Sequence, residues 1–135
     1  MLTTSPTAMF DLATTPVSHQ IIGEFHAPNK VISAVCHGPA ALASVKFLDG
    51  TPLLAGVKVT RISNSEEVAV GGTAGMPFAL EAELNKASNG GYQEADDWAS
   101  NVVVDRDGKL ITGQNPASAM GVGEAILKVL VPALG

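Results

Sequence analysis

The chain has 135 residues, which suggests one domain, and 46% of them are apolar, enough for a packed core. Charged residues make up only 16%, and a net charge of −5 with scattered Lys and Arg argues against a nucleic-acid surface. No window approaches the apolar length of a membrane span, and Met1-Leu2-Thr3-Thr4-Ser5-Pro6 lacks the basic and apolar regions of a secretory signal.

Met1 to Ala13 shows little periodicity. Thr15 then reads as an N-cap with Pro16 at the first helical position. Val17, Ile21 and Phe25 recur four apart, which predicts a helix with one apolar face, ended by Pro28. His19 and His26 fall on or near this helix. Glu24 alone makes no facing carboxylate cluster, so both histidines read as ordinary surface or packing residues, and no metal site is expected.

Lys30 to Leu42 is the most informative stretch. Val31-Ile32-Ser33-Ala34-Val35 is apolar and β-branched, which predicts a buried strand. Cys36-His37-Gly38-Pro39 follows, and Ala40-Ala41-Leu42 opens a predicted helix reaching Lys46, with Pro39 in its first turn. Ala34 and Gly38 stand two residues either side of Cys36, as small residues flank the nucleophile of a G-x-S-x-G elbow. Such a turn forces the central residue into a strained conformation and exposes its reactive atom. A helix N-terminus beneath it lowers a thiol pKa, so a depressed value is expected for Cys36. The plainer reading is a buried structural cysteine; the small flanks and the His-Gly-Pro sequence favour the elbow. As the single cysteine, Cys36 can form no internal disulfide, which fits a reducing compartment, so a cytoplasmic location is expected.

Phe47 to Pro52 has turn chemistry. Val57-Lys58-Val59-Thr60-Arg61-Ile62 alternates and predicts a strand. Asn64 or Ser65 then caps a short helix, whose first turn favours Glu66 and Glu67 on structural grounds alone. Gly71 to Gly75 lacks the Lys and the spacing of a phosphate-binding loop. Met76 to Ala87 predicts a helix with Leu80 and Leu84 inward, stopped by Asn89-Gly90-Gly91. Trp98 is assigned to packing. Val102–Val104 and Leu110–Thr112 are short strands joined by a hairpin at Asp105-Arg106-Asp107-Gly108. Asn115-Pro116 opens a last helix to about Leu130, ended before Pro132, with Gly121 and Gly123 weakening it or permitting close packing on the sheet.

Strands alternating with helices imply an α/β architecture with a mostly parallel sheet, whose chemistry sits at the carboxyl ends of the strands. Cys36 and the Glu66-Glu67 pair both lie just past predicted strand ends, so they can meet with His37 between them. The thiol would be the nucleophile, His37 the base, and one of the two glutamates would orient the imidazole.

Ala34-Val35-Cys36-His37-Gly38-Pro39-Ala40 resembles the nucleophile elbow of the PfpI superfamily, the one containing the parkinsonism-associated deglycase and called type 1 glutamine amidotransferase-like by fold. Ala8-Met9-Phe10-Asp11-Leu12, Val59-Thr60 with Ser65-Glu66-Glu67, and Leu110 to Ser118 with its Thr-Gly-Gln-Asn-Pro motif are similar to its glyoxalase III and heat-shock chaperone branch. The resemblance runs from about Ala8 to the C-terminus.

It implies a flavodoxin-like α/β sandwich, with residues 1–135 as a single partial domain that is N-terminally truncated. Members carry several strands ahead of the point where this chain starts, including a glutamate that bonds the thiol. Thr3-Thr4-Ser5-Pro6-Thr7 stands where the family has a Gly-Gly-His-Gly stretch, leaving the His37 N–H as an oxyanion donor. The resemblance assigns catalysis to Cys36, His37 and Glu67, with Glu66 the near alternative. It implies a hydro-lyase that converts the small aldehyde methylglyoxal to lactate without glutathione or another cofactor. A holding chaperone, a redox-responsive binding protein and an inactive fragment are the alternatives. The absent flanking strands imply a homo-oligomer, with no nucleic-acid or membrane partner.

Overall fold

The apolar run after Lys30 forms β1 (Ile32–Val35) in a computed structural model that describes residues 5–26 and 30–131. Helix α1 (Pro16–His26) precedes it, and a five-residue 3-10 turn, Gly38–Leu42, follows the elbow. Two short helices come next, α2 (Asn64–Ala69) and α3 (Leu80–Ala87). The hairpin of β2 (Val102–Asp105) and β3 (Leu110–Gly113) turns through Arg106–Gly108, and α4 (Ala119–Leu130) completes the order. Pro28 and Pro132, expected to end helices, lie outside the described residues.

The sheet has the order β1-β3-β2. β1 runs parallel to β3, with Ile32 opposite Leu110 and Val35 opposite Gly113. β2 runs antiparallel to β3, with Val102 opposite Gly113. Every residue of β1 and β3 is buried, as expected for strands covered on both faces. Alternation divides them between two cores. Ile32, Ala34 and Leu110 join Ile22, Leu42, Leu80 and Leu84 on one face. Val35 and Ile111 join Val122 on the other, under Ala125, Ile126 and Val129 of α4. Helices thus cover both faces of a small sheet, and each such buried aliphatic side chain contributes about 1.5–3 kcal/mol.

Several expectations are corrected. Val57–Ile62 is not a strand. Val59 makes only an isolated bridge with Tyr92. The Thr60 N–H goes to Thr112 Oγ1 at 3.0 Å and the Ile62 N–H to the Cys36 carbonyl at 3.1 Å. The segment reaches from the end of β2, where the Lys58 N–H meets Asp105 Oδ2 at 2.8 Å, to the elbow, and its donors serve side chains, the Gly91 carbonyl and the elbow instead of a ladder. The elbow leads into the 3-10 turn and not into a helix reaching Lys46. α3 starts at Leu80, because Pro77 disfavours helical backbone at Met76. Leu80 and Leu84 do point inward. The cap of α2 is Ser63, one residue before the predicted Asn64 or Ser65. In α1 the packed face is Ser18, Ile22 and Gly23; Val17, Ile21 and Phe25 are exposed by 61%, 58% and 46%. The small residues let the helix sit close, since a Cβ on Gly23 would lie 3.1 Å from the Lys46 carbonyl.

Candidate active site

The elbow is strained where the sequence requires it. Cys36 has φ of 62°, in the left-handed region that costs a non-glycine residue energy. Two backbone bonds hold it there: its N–H donates to the Gly113 carbonyl at 3.0 Å, and its carbonyl accepts from Ile62 at 3.1 Å. Ala34 and Gly38 are both buried, as the close strand-to-turn approach demands.

His37 lies between Cys36 and Glu67. Its Nε2 is 2.8 Å from Glu67 Oε1, and its Nδ1 is 3.4 Å from the Cys36 sulfur. A carboxylate only accepts, so Nε2 carries the proton and donates to Glu67. Nδ1 then presents its lone pair to the thiol. All three residues are nearly inaccessible, at 4–5%. A cavity of about 480 Å³ lined by Asn64, Glu67, Val68, Thr73, Met76, Phe78 and Ala79 reaches the glutamate but not the sulfur.

Burial pushes the Cys36 thiol up to about 11. The His37 backbone N–H pulls it down, the Glu66 and Glu67 carboxylates push it up, and Arg61 pulls it down. The depressed value expected from a helix N-terminus is not found. The element after the elbow is one short 3-10 turn, so few peptide dipoles align, and desolvation of the thiolate wins.

Neighbouring Glu66 points elsewhere. It is wholly buried and accepts from Ser63 N at 2.8 Å, Trp98 N at 2.6 Å and Asn115 Nδ2 at 2.7 Å. Burial raises its pKa, but these donors outweigh it and hold the carboxyl below the usual range. Ser63 and Glu66 form a reciprocal capping box.

Sequence reasoning missed Arg61. Its side chain is fully buried, with Nη1 3.4 Å from Glu67 Oε2 and Nη2 3.3 Å from Glu81 Oε2. The only signal was its place in an alternating segment just before Glu66-Glu67, two residues after Val59 and four after Val57. Asn115, expected to open the last helix with Pro116, does cap the 3-10 turn Pro116–Ser118 that leads into α4, but its further contacts and those of Gln114 were not legible. Gln114 holds both the N–H and the carbonyl of Ala95, and Asn115 holds Glu66 and the Ala99 carbonyl. Trp98 does not pack in the core: it is 45% exposed, at φ of 61°. His19 bonds the Ala13 carbonyl at 2.9 Å and His26 stacks on Phe47 at 4.3 Å, both packing roles.

The profile of the DJ-1/PfpI family matches residues 8–129. The chain belongs to this family. Its relatives include the glutathione-independent glyoxalase hsp3101 of Schizosaccharomyces pombe, 32% identical over 127 residues that cover 90% of this chain and 52% of that protein. Among solved structures, the Rapid Encystment Protein 24 KDa of Francisella tularensis matches with a TM-score of 0.86 at 39% identity, over 93% of this chain and 54% of that one. Glyoxalase III of Candida albicans matches at 0.79 and 28%, over 89% and 52%. The chain spans about half the length of these DJ-1/PfpI relatives, and its helices and small sheet are part of their flavodoxin-like α/β fold. Among the described residues, no helix is long and apolar enough to cross a membrane.

Proposed function

We propose that this chain is the catalytic portion of a glutathione-independent glyoxalase, a hydro-lyase that turns methylglyoxal into lactate. The reading rests chiefly on one observation: His37 bridges the Cys36 sulfur and the Glu67 carboxylate at 3.4 and 2.8 Å. Relatives named as glutathione-independent glyoxalases support the substrate.

In the proposed course Cys36 gives its proton to His37 Nδ1 as the sulfur attacks the aldehyde carbon. A C–S bond forms as the C=O π bond breaks, and His37 passes the thiol proton to that oxygen, giving a neutral hemithioacetal and freeing Nδ1 to act again as base. The aldehyde carbon then loses its hydrogen as a proton, which His37 carries to the adjacent ketone carbon through an enediol. The first carbon is oxidised to a thioester while the second is reduced to an alcohol, so no external oxidant is needed. Water cleaves the C–S bond, releasing lactate and the thiol. Glu67 holds the Nε2 proton throughout and stabilises the imidazolium. Because the resting thiol titrates near 11, the thiolate forms only as His37 accepts the proton.

The test incubates the chain with methylglyoxal, without glutathione, and follows lactate. Lactate is expected from the native chain and none from Cys36→Ala. Turnover surviving Cys36→Ala would exclude covalent catalysis through this sulfur, and no lactate from the native chain would reject the activity.

One observation favours a second reading, a holding protein that captures apolar segments: the exposed Val17-Ile21-Phe25 stripe of α1. A client-aggregation assay unaffected by Cys36→Ala separates the two. In either reading residues 1–135 act as one partial domain in a reducing, cytoplasmic setting, as a homo-oligomer.

A further inference from the structure

We infer that Arg61 is a positioning residue for the proposed chemistry: its buried guanidinium fixes the Glu67 carboxylate in the orientation that receives the His37 Nε2 proton. The inference rests on the glyoxalase reading for its catalytic meaning. The two oxygens of Glu67 are divided between two partners. Oε1 faces His37 at 2.8 Å, and Oε2 faces Arg61 Nη1 at 3.4 Å. A carboxylate gripped from both ends cannot rotate, so the imidazole it holds keeps Nδ1 on the sulfur. Arg61 itself is anchored by Asn64 Oδ1 and by Glu81 Oε2 at 3.3 Å.

Sign alternates along this row. Glu81 is negative, Arg61 positive, Glu67 negative, and His37 becomes positive when it takes the thiol proton. Glu81 is one-third exposed, so the row runs from the surface of α3 to the elbow. The plainer reading is a structural ion pair tying the Val57–Ile62 segment to α2 and α3. One feature weighs against that as the whole account. Arg61 Nε is buried with no partner among the described residues, a cost that a staple chosen only for stability would avoid. A lysine would leave no such orphan, but it lacks the planar fork that reaches two carboxylates at once.

The charged and titratable groups around His37 are Cys36 of the elbow, Glu67 of α2 and, through Glu67, Arg61 of the extended segment and Glu81 of α3, while Glu66 of α2 acts on the Cys36 thiol. A buried cation beside Glu67 opposes proton uptake by the His37–Glu67 pair. Removing it raises the pH at which the pair takes up a proton. Removing the Glu81 charge leaves the cation less neutralised and lowers that pH.

The experiment follows the His37 ring resonances by NMR against pH in the native chain, Arg61→Met, Arg61→Lys and Glu81→Gln, with methylglyoxal kinetics in parallel. Arg61→Met is expected to move the midpoint up by about one pH unit. Glu81→Gln moves it down. Arg61→Lys restores the charge and holds the midpoint near native, yet lowers kcat on the order of tenfold or more with KM little changed, because the grip on Glu67 is lost. Should Arg61→Met fail to fold, the lysine and glutamine variants carry the test. An unchanged midpoint in Glu81→Gln or in a folded Arg61→Met, or native kcat in Arg61→Lys, would overturn the inference. Absence of lactate from the native chain sinks the glyoxalase reading instead, and the titration still decides whether Arg61 tunes the pair.

Discussion

Two adjacent glutamates have opposite tasks, and hydrogen-bond partners decide which does what. Glu67 faces His37 and Arg61, while Glu66 accepts from Ser63, Trp98 and Asn115 and ties α2 to the loop before β2. Glu67→Gln is therefore expected to lower turnover without unfolding the chain. Glu66→Gln is expected to cost about 1–3 kcal/mol of stability, because an amide placed against three donors leaves buried groups unpaired. Urea denaturation checks it; equal stability with lost activity would exchange the two roles. The pH dependence has a definite sign. The folded Glu66 carboxyl titrates below its unfolded value, so its stabilisation is complete above about pH 4.3 and is lost as pH falls through the folded value. The native chain's advantage over Glu66→Gln should shrink below that pH. For Cys36 the thiol is raised to about 11, so its alkylation rate should keep rising past pH 9. A plateau near the free-thiol value of about 8.5 would mean that the sulfur is better solvated or better paired than it is here.

Elements with a strong local pattern were legible and those shaped by distant contacts were not. The apolar run of β1, the hairpin of β2 and β3, and α4 with Pro116 before it all follow from neighbouring residues. The elbow was legible too, since only small residues at Ala34 and Gly38 permit it. Val57–Ile62 has a strand's alternation, but its course is set by the close approach of Gly91, where a Cβ would come within 1.9 Å of the Val57 carbonyl. Nothing local announces that contact, or that Arg61 turns inward to two carboxylates on later helices. The glycines of α4 separate the two roles the sequence left open. A Cβ on Gly121 would meet Val102 of β2 at 3.0 Å, whereas Gly123 has nothing within 4 Å. Gly123→Ala is expected to stabilise the chain by about 0.5–1 kcal/mol, and Gly121→Ala to gain less or lose. Gly91→Ala should destabilise it severely. Thermal melts of the three variants check this, and an indifferent Gly91→Ala would show that the Val57 backbone can move aside.

At the scale of the whole molecule, β1 is the element whose surroundings are least complete. All four of its residues are buried, yet within the described sheet it pairs with β3 alone. A cavity of about 460 Å³ opens beside it, lined by Phe25 of α1, Lys30, Val31, Ser33, Lys109, and Ile126 and Leu130 of α4. The exposed stripe Val17-Ile21-Phe25 lies on α1, and Leu127 and Leu130 are exposed on α4. An unpaired strand edge presents N–H and C=O groups to any extended chain, and apolar flanks add area to the contact. The isolated chain is therefore expected to self-associate. Replacing Ile21 and Phe25 by glutamate should favour the monomer by charge repulsion and lost apolar area. Their side chains already face solvent in α1, so the melting temperature should change little. Light scattering on both forms, with a thermal melt, decides it. If the native chain is a monodisperse monomer with a sharp cooperative transition, the edge and the stripe need no partner, and the homo-oligomer proposed above is wrong.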